Sequence, residues 1–451
     1  MDLLGLLPQF GGLAWTLLAF IVALSVIVAV HEYGHYIVGR WCGIGADVFS
    51  IGFGPVLWSR TDRRGTVWQV AALPLGGYVK FKGDGDAASM GQDGDALSGM
   101  SAAERETTLT GAALWKRMAT VAAGPVFNFV LSIAVFAAFV LVGGRAGDEP
   151  VIGELRTLPP EIATLEPGDR VLRVGGREVA DAAGLIAAAA EMPPGGPVTY
   201  LVERDGREIA VEAAPLMPPL VEAVQPRSAA WDIGLRPGDV ITAIDGTRID
   251  AFGQLQQVVA ASDGRALLLD VWRPTAGAEG ERLQFTLAPR RSDLPLPEGG
   301  FETRWLIGIN GGTFHEAPTQ GVGPFDALSY GVSQTWFIIT SSLSALYHIV
   351  TGAISTCNLS GPIGIAEVSG AAASQGVGNF IWFIAVLSTA VGLLNLFPIP
   401  VLDGGHLVFH AYEAVRGRPP SDRAVRVLMS VGIALMGTLM LFAVFNDIFC
   451  P

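Results

Sequence analysis

The uncharged run from Ala14 to Val30 ends directly in His31-Glu32-Tyr33-Gly34-His35. A helix built on such a run can enter a bilayer, and residues four apart on it share a face. His31 and His35 can therefore offer two imidazoles to one Zn2+, with Glu32 beside them to take a proton from water activated there. Ionisable side chains are costly so close to hydrocarbon, so their placement points to chemistry rather than packing.

The chain is half hydrophobic and only 16% charged, with a mean hydropathy of +0.45. That is too apolar for a soluble enzyme, yet the middle third is polar, so the architecture is mixed. A net charge of −13 excludes nucleic acid as a partner, because no basic surface is available to replace phosphate counterions. Cys42, Cys357 and Cys450 are too far apart for a CxxC pair and read as incidental thiols, neither a disulfide framework nor a thiolate zinc site. The N-terminal run has no Lys or Arg before it and no small-residue cleavage site after it, so it reads as a retained helix rather than a secretory signal.

Four segments approach the roughly 20 apolar residues that a spanning helix needs: Ala14–Val38, Met118–Gly143, Gly378–Phe397 and Val427–Phe445. Residues 1–13 and the tail after Phe445 carry no Lys or Arg. The segment between the first two spans holds Arg40, Arg60, Arg63, Arg64, Lys80, Lys82, Lys116 and Arg117, and the link between the last two holds Arg416, Arg418, Arg423 and Arg426. Because basic residues stay on the cytoplasmic side, both termini are expected outside and the region 144–377 exported. A fifth apolar stretch, Trp336–Val350, puts Trp336, Ile339, Leu343, Leu346, Tyr347 and Val350 on one helical face and Ser341, Ser344, His348 and Thr351 on another. That pattern predicts a helix lying in the interface.

A catalytic zinc usually takes three protein ligands and keeps an open position. The third apolar span runs into Asn395-Leu396-Phe397-Pro398-Ile399-Pro400-Val401-Leu402-Asp403-Gly404-Gly405, where two prolines and two glycines stop the helix. Backbone freed at that depth must be buried in protein or line a wet cavity. The break lies at a depth similar to His31, near the cytoplasmic face, which makes Asp403 the choice for third ligand. His406 and His410 are also four apart, but no Glu follows the first and both stand beyond the break. Asp403 as a plain helix cap before Gly404 is the other alternative.

With HEYGH at one end and NLFPIPVLDGG at the other, the chain resembles the site-2 protease family of intramembrane zinc metalloproteases. Further matches are Gly52-Phe53-Gly54-Pro55, Leu73-Pro74-Leu75-Gly76-Gly77-Tyr78, Ala123-Gly124-Pro125-Val126-Phe127-Asn128-Phe129 and Ser360-Gly361-Pro362-Ile363-Gly364-Ile365-Ala366. The resemblance implies that His31, His35 and Asp403 are zinc ligands and Glu32 the catalytic base, with Asn395, Pro398 and Pro400 in the substrate-holding motif. It also implies single-span membrane proteins as substrates, among them an anti-sigma factor and remnant signal peptides, and a multi-pass place in a bacterial inner membrane.

Val48–Ile51, Val56–Ser59 and Val67–Leu73 are short β-prone runs, with Asp62-Arg63-Arg64-Gly65 as a turn. In the family this sheet is membrane-associated and offers an edge to the unwound substrate, which gives Gly76 and Gly77 a substrate-binding role. Strand addition suits the task, because it exposes peptide bonds while satisfying their hydrogen bonds. Residues 83–110 read as a flexible loop.

The middle region repeats itself. Leu165-Glu166-Pro167-Gly168-Asp169 aligns with Leu235-Arg236-Pro237-Gly238-Asp239, each followed by a strand with alternating apolar residues and a Gly turn. The pattern resembles tandem PDZ domains. The second copy carries Pro226-Arg227-Ser228-Ala229-Ala230 before Gly234-Leu235, whereas the first has no Gly before Leu165. A steric filter above the membrane site is therefore preferred to peptide capture.

The fold expected is a polytopic α-helical membrane protein: four transmembrane helices, a membrane-associated β-hairpin or sheet, and two inserted PDZ-like β-rich domains. Its segments are a membrane core 1–146, PDZ-like domains 147–216 and 217–291, an exported linker 292–376 with the interfacial helix, and the last two spans 377–451. A catalytically silent envelope scaffold is the alternative reading.

Overall fold

The computed structural model describes residues 7–84, 100–160, 162, 164–193, 195–275, 280–295 and 301–450. They divide into two compact units. One holds the chain up to Val140, Gly323–Val350 and everything from Thr356 onward; the other holds Leu141–Val322 and Thr351–Ser355.

The first unit is a helical bundle around a small sheet. Its labelled elements are α1 (Leu7–Trp41), β1 (Ala46–Thr61), β2 (Val67–Phe81), α2 (Leu114–Gly143), α3 (Pro324–Val350), α4 (Pro362–Ser374), α5 (Val377–Asn395), α6 (Asp403–Arg416) and α7 (Asp422–Phe449). Four of the helices, α1, α2, α5 and α7, are long and apolar enough to cross a membrane. Their outward faces carry Leu17, Leu18, Val22, Val130, Leu141, Ile381, Leu439 and Leu441 exposed. A surface so apolar is stable against lipid, where the backbone is satisfied inside each helix.

The inward faces are small and polar. Ser132 Oγ on α2 donates to the Ala385 carbonyl on α5 at 2.8 Å, and Ser388 Oγ on α5 donates to the Asn128 carbonyl at 2.9 Å. A methyl on Gly392 would lie 3.1 Å from Asn128 Cβ. Small residues let these backbones approach closely, and hydroxyls bond across the seam. On the other flank, a methyl on Gly370 of α4 would fall 2.9 Å from Thr16 Cα of α1, so these two helices also cross at close range.

The sheet exceeds the three runs legible in sequence. The first half of β1 pairs with the end of β2 (Phe49 with Val79, Ile51 with Gly77) and, on its other side, with the start of β2 (Phe49 with Trp68, Ile51 with Val70). The second half of β1 then pairs with that same start of β2 (Trp58 with Val70, Arg60 with Trp68). Both strands fold over, giving a four-run order 77–81, 46–51, 67–71, 56–61. The reversal in β1 sits at Gly52, φ 93°, where an added Cβ would meet the Ala71 carbonyl oxygen at 2.8 Å. Asp62 closes the turn by accepting the Arg64 and Thr66 N–H groups at 2.8 and 3.1 Å and the Trp68 indole N–H at 3.1 Å.

Three expectations change. The cysteines are not all incidental, because Cys357 and Cys450 form a disulfide across a separation of 93 residues that brings the end of α7 back to the turn before α4. Asp447 strengthens this corner by accepting the N–H groups of Gly361, Ile363 and Gly364 at 2.9, 3.0 and 3.1 Å. The helix expected over 336–350 begins at Pro324, and it turns Ala327, Gly331 and Thr335 inward while Trp336, Leu343 and Tyr347 stay exposed. Of the loop 83–110, residues 85–99 lie outside the described residues. Ala102–Arg105 is a helical turn whose Ser101 and Glu104 form a reciprocal capping box.

The second unit contains two modules of one plan. Residues 170–174, 177–178, 198–204 and 207–213 form a four-stranded sheet in the order second, first, third, fourth, and residues 240–244, 247–248, 267–273 and 281–287 form another in that order. Each sheet packs a helix, Ala182–Ala190 or Phe252–Ala261, over a core centred on Val171, Tyr200 and Leu185 or on Ile241, Leu269 and Leu255. The repeated Pro-Gly-Asp acquires a structural reason. Asp169 accepts both Arg204 Nε and Nη2, at 2.6 and 2.7 Å, and Asp239 accepts Arg273 Nε and Nη2, both at 2.7 Å. The start of the segment read as a linker carries strands: Ile309–Gly311 pairs with Val221–Val224, and His315 bridges to Leu155.

Candidate active site

The apolar run that makes α1 a membrane helix also sets His31 and His35 one turn apart, facing inward with side chains 11% and 12% exposed. Asp403 reaches them from α6. The proline-rich break after Asn395 ends α5, and the chain restarts as helix at Asp403 itself. Side chains at Gly404 or Gly405 would collide with carbonyls of the break, so both must be glycine for the first turn of α6 to sit on it.

Three ligand atoms then converge. His31 Nε2 and His35 Nε2 are 3.2 Å apart, and Asp403 Oδ2 lies 3.1 Å from the first and 3.4 Å from the second. Oδ2 is buried and makes no hydrogen bond of acceptable geometry. Two ligands held about 2.0–2.1 Å from a common tetrahedral centre are themselves about 3.3 Å apart. The trio therefore fits a metal ion of zinc's size better than a set of mutual hydrogen bonds. Among the described residues it is the metal-competent group of His, Cys, Asp and Glu.

Helix α2 shapes the opposite wall. The Thr120 carbonyl oxygen lies 2.8 Å from His35 Nδ1, fixing the ring so that Nε2 faces the other ligands. One turn on, Gly124 leaves room for both rings, since a Cβ there would fall 2.6 Å from His35 Cε1 and 2.8 Å from His31 Cε1. Glu32 points toward the sheet, with its Cγ 3.2 Å from where a Cβ on Gly77 would be. The outer run 77–81 thus begins beside Glu32, and Gly76 packs under the Phe53 ring.

Residues 19–439 match the family model of peptidase family M50. The chain belongs to that family. A protein of Agrobacterium fabrum named as a zinc metalloprotease is 38% identical over 97% of both chains, and one of Rhizobium meliloti so named is equally similar over 97% of both. The regulator of sigma-E protease of Escherichia coli is 34% identical over 96% of this chain and 98% of its own. This M50 peptidase is accordingly a zinc-dependent intramembrane protease of the site-2 type.

Other expected site residues fare differently. Asn395 closes α5 half-buried, with no hydrogen bond to the ligand set among the described residues, and Pro398 is exposed within the break. Pro400 packs against α7, where a methyl on Gly432 would meet its Cβ at 3.2 Å. His406 and His410 follow Asp403 on α6 outside the ligand trio. Sequence reasoning missed the Arg117 to Glu413 ion pair, bidentate at 2.6 and 3.0 Å, which ties the end of α6 to the start of α2. No local signal marks a pairing across 296 residues.

Proposed function

We propose that His31, His35 and Asp403 hold the zinc of this M50 peptidase and that Glu32 is its general base, acting on single-span membrane proteins. The observation that carries the reading is the convergence of three ligand atoms within 3.1–3.4 Å of one another. Zinc bound there supplies Lewis acidity, which acidifies water and polarises a scissile carbonyl. Glu32 accepts the proton of the attacking water and returns it to the leaving amine. The run beginning at Gly77 adds the unwound substrate as a further strand, so that its peptide bonds pass Glu32 with their hydrogen bonds satisfied. Asn395, Gly76, Pro398 and Pro400 shape the walls of that path.

The disulfide supports an orientation with the end of α7 and the α4 corner on an oxidising side, and the Arg-rich link before α7 supports the cytoplasm opposite. The two β modules are then PDZ-like domains in the periplasm of a bacterium, filtering substrates by size above an inner-membrane site. The name of the Escherichia coli relative ties that protein to regulation of sigma-E, in keeping with an anti-sigma factor as one substrate here; remnant signal peptides, as another, follow from the resemblance to the site-2 protease family. The test is incubation of the detergent-purified protein with single-span substrates, with and without a zinc chelator, and mass spectrometry of the fragments. Glu32→Gln should keep zinc and lose cleavage by at least about 100-fold, whereas Asp403→Ala should lose zinc. Normal turnover by Glu32→Gln rejects the assigned base.

A further inference from the structure

We infer that Asn128 is a positioning residue for the metal site, its side-chain carbonyl holding the Nδ1 hydrogen of His31 so that Nε2 is the atom presented to zinc. The inference rests on the proposed ligand set and extends it by one residue. Asn128 is fully buried. Its amide nitrogen stands 3.2 Å from His31 Nδ1, while its Oδ1 is buried with no hydrogen-bond partner.

The two atoms sit the wrong way round for a zinc ligand. His31 Nε2 is the atom that meets His35 and Asp403, and a ligating ring nitrogen carries no hydrogen, so in the neutral ring the hydrogen sits on Nδ1. Nδ1–H then faces an amide N–H, donor against donor. Amide oxygen and nitrogen have nearly the same shape, and their assignment follows from the hydrogen-bond network. Turning the amide over brings Oδ1 onto Nδ1–H and removes both the clash and the orphaned oxygen.

The surroundings point the same way. Thr120, Gly124 and Asn128 are four residues apart on α2 and form one stripe. The first orients His35, the second makes room for both rings, and Asn128 meets His31. The Asn128 backbone carbonyl accepts Ser132 Oγ at 3.0 Å and Ser388 Oγ at 2.9 Å, which anchors the residue in the α2–α5 seam.

The test measures Zn2+ affinity of the full-length protein in detergent by competition with a chromophoric chelator, alongside its thermal melting. Asn128→Leu, which keeps the bulk and removes the acceptor, should weaken zinc binding by about 10–100-fold. Asn128→Asp, which keeps an acceptor, should bind within a few-fold of the unaltered protein. If the Leu variant does not fold, Asn128→Ala carries the same expectation. Wild-type affinity in the Leu or Ala variant overturns the inference, as does an equal loss in Asp and Leu that follows melting temperature. Asp403→Ala is measured in parallel. If it keeps full affinity the ligand set itself is wrong and the inference falls with it; if it alone loses zinc, only the role of Asn128 fails.

Discussion

Replacing Gly124 by Ala adds one methyl group against both imidazole rings of the site. That methyl would lie 2.6 Å from His35 Cε1 and 2.8 Å from His31 Cε1, whereas carbon atoms in ordinary contact are about 3.5 Å or more apart. At least one imidazole must retreat by about 1 Å, and the ring held to the Thr120 carbonyl at 2.8 Å cannot do so without losing that bond. Displacements of this size at a reacting centre cost about 100-fold in rate. Loss of a ligand's orienting partner costs about 10–100-fold in metal affinity. Helix propensity works the other way, favouring Ala over Gly by about 1 kcal/mol, so loss of α2 would not explain the damage. Zinc content by mass spectrometry and cleavage of a single-span substrate, measured with melting temperature on the same preparation, separate the effects. Full zinc occupancy with normal turnover in Gly124→Ala would refute the placement of both histidines.

Two further outcomes are expected. Glu413→Leu removes the carboxylate from the half-buried Arg117 guanidinium, which keeps only its bond to the Ala112 carbonyl, and should cost about 1–2 kcal/mol, read as a lower melting temperature, while adding Arg117→Leu should restore most of it; equal losses in the single and double variants would show that the pair does not couple. In the second unit, burial acts to raise the Asp169 carboxyl, but the Arg204 hydrogen bonds and the Glu166 N–H outweigh it and hold the group below its ordinary value. Its stabilisation is therefore complete above the ordinary carboxylate range and lost as pH falls through the lower folded value, so the protection of strand 170–174 against amide exchange, relative to the unfolded chain at the same pH, should fall below about pH 4. Protection that is unchanged across that range, or that falls equally in Arg204→Met, would contradict this.

The apolar spans were legible because a run free of charge can do little else than form a membrane helix. That Asp403 lies beside the two histidines was legible because the prolines and glycines that stop α5 free backbone that has to pack against protein. The Pro-Gly-Asp repeat was readable too, but its partners Arg204 and Arg273 were not, since nothing along the chain ties a turn to a strand more than thirty residues later. Residues 77–81 escaped as a strand because Leu73-Pro74-Leu75-Gly76-Gly77 has the composition of a turn. The supports of the two histidines were hidden for a plainer reason: Thr120 acts through its backbone carbonyl, which every residue type possesses. The bridge from Cys357 to Cys450 depends on where the last helix ends, a matter of packing rather than spacing.

That bridge makes one corner of the bundle covalent. With the Asp447 carboxylate gripping three amides beside it, one end of α7 is bolted to the start of α4, and α4 lies against α1. Within the first half of α7, Gly432 rests on Pro400 and Val401 of the break that leads to Asp403. The break that delivers Asp403 to the two imidazoles therefore rests on a helix whose far end is covalently stapled.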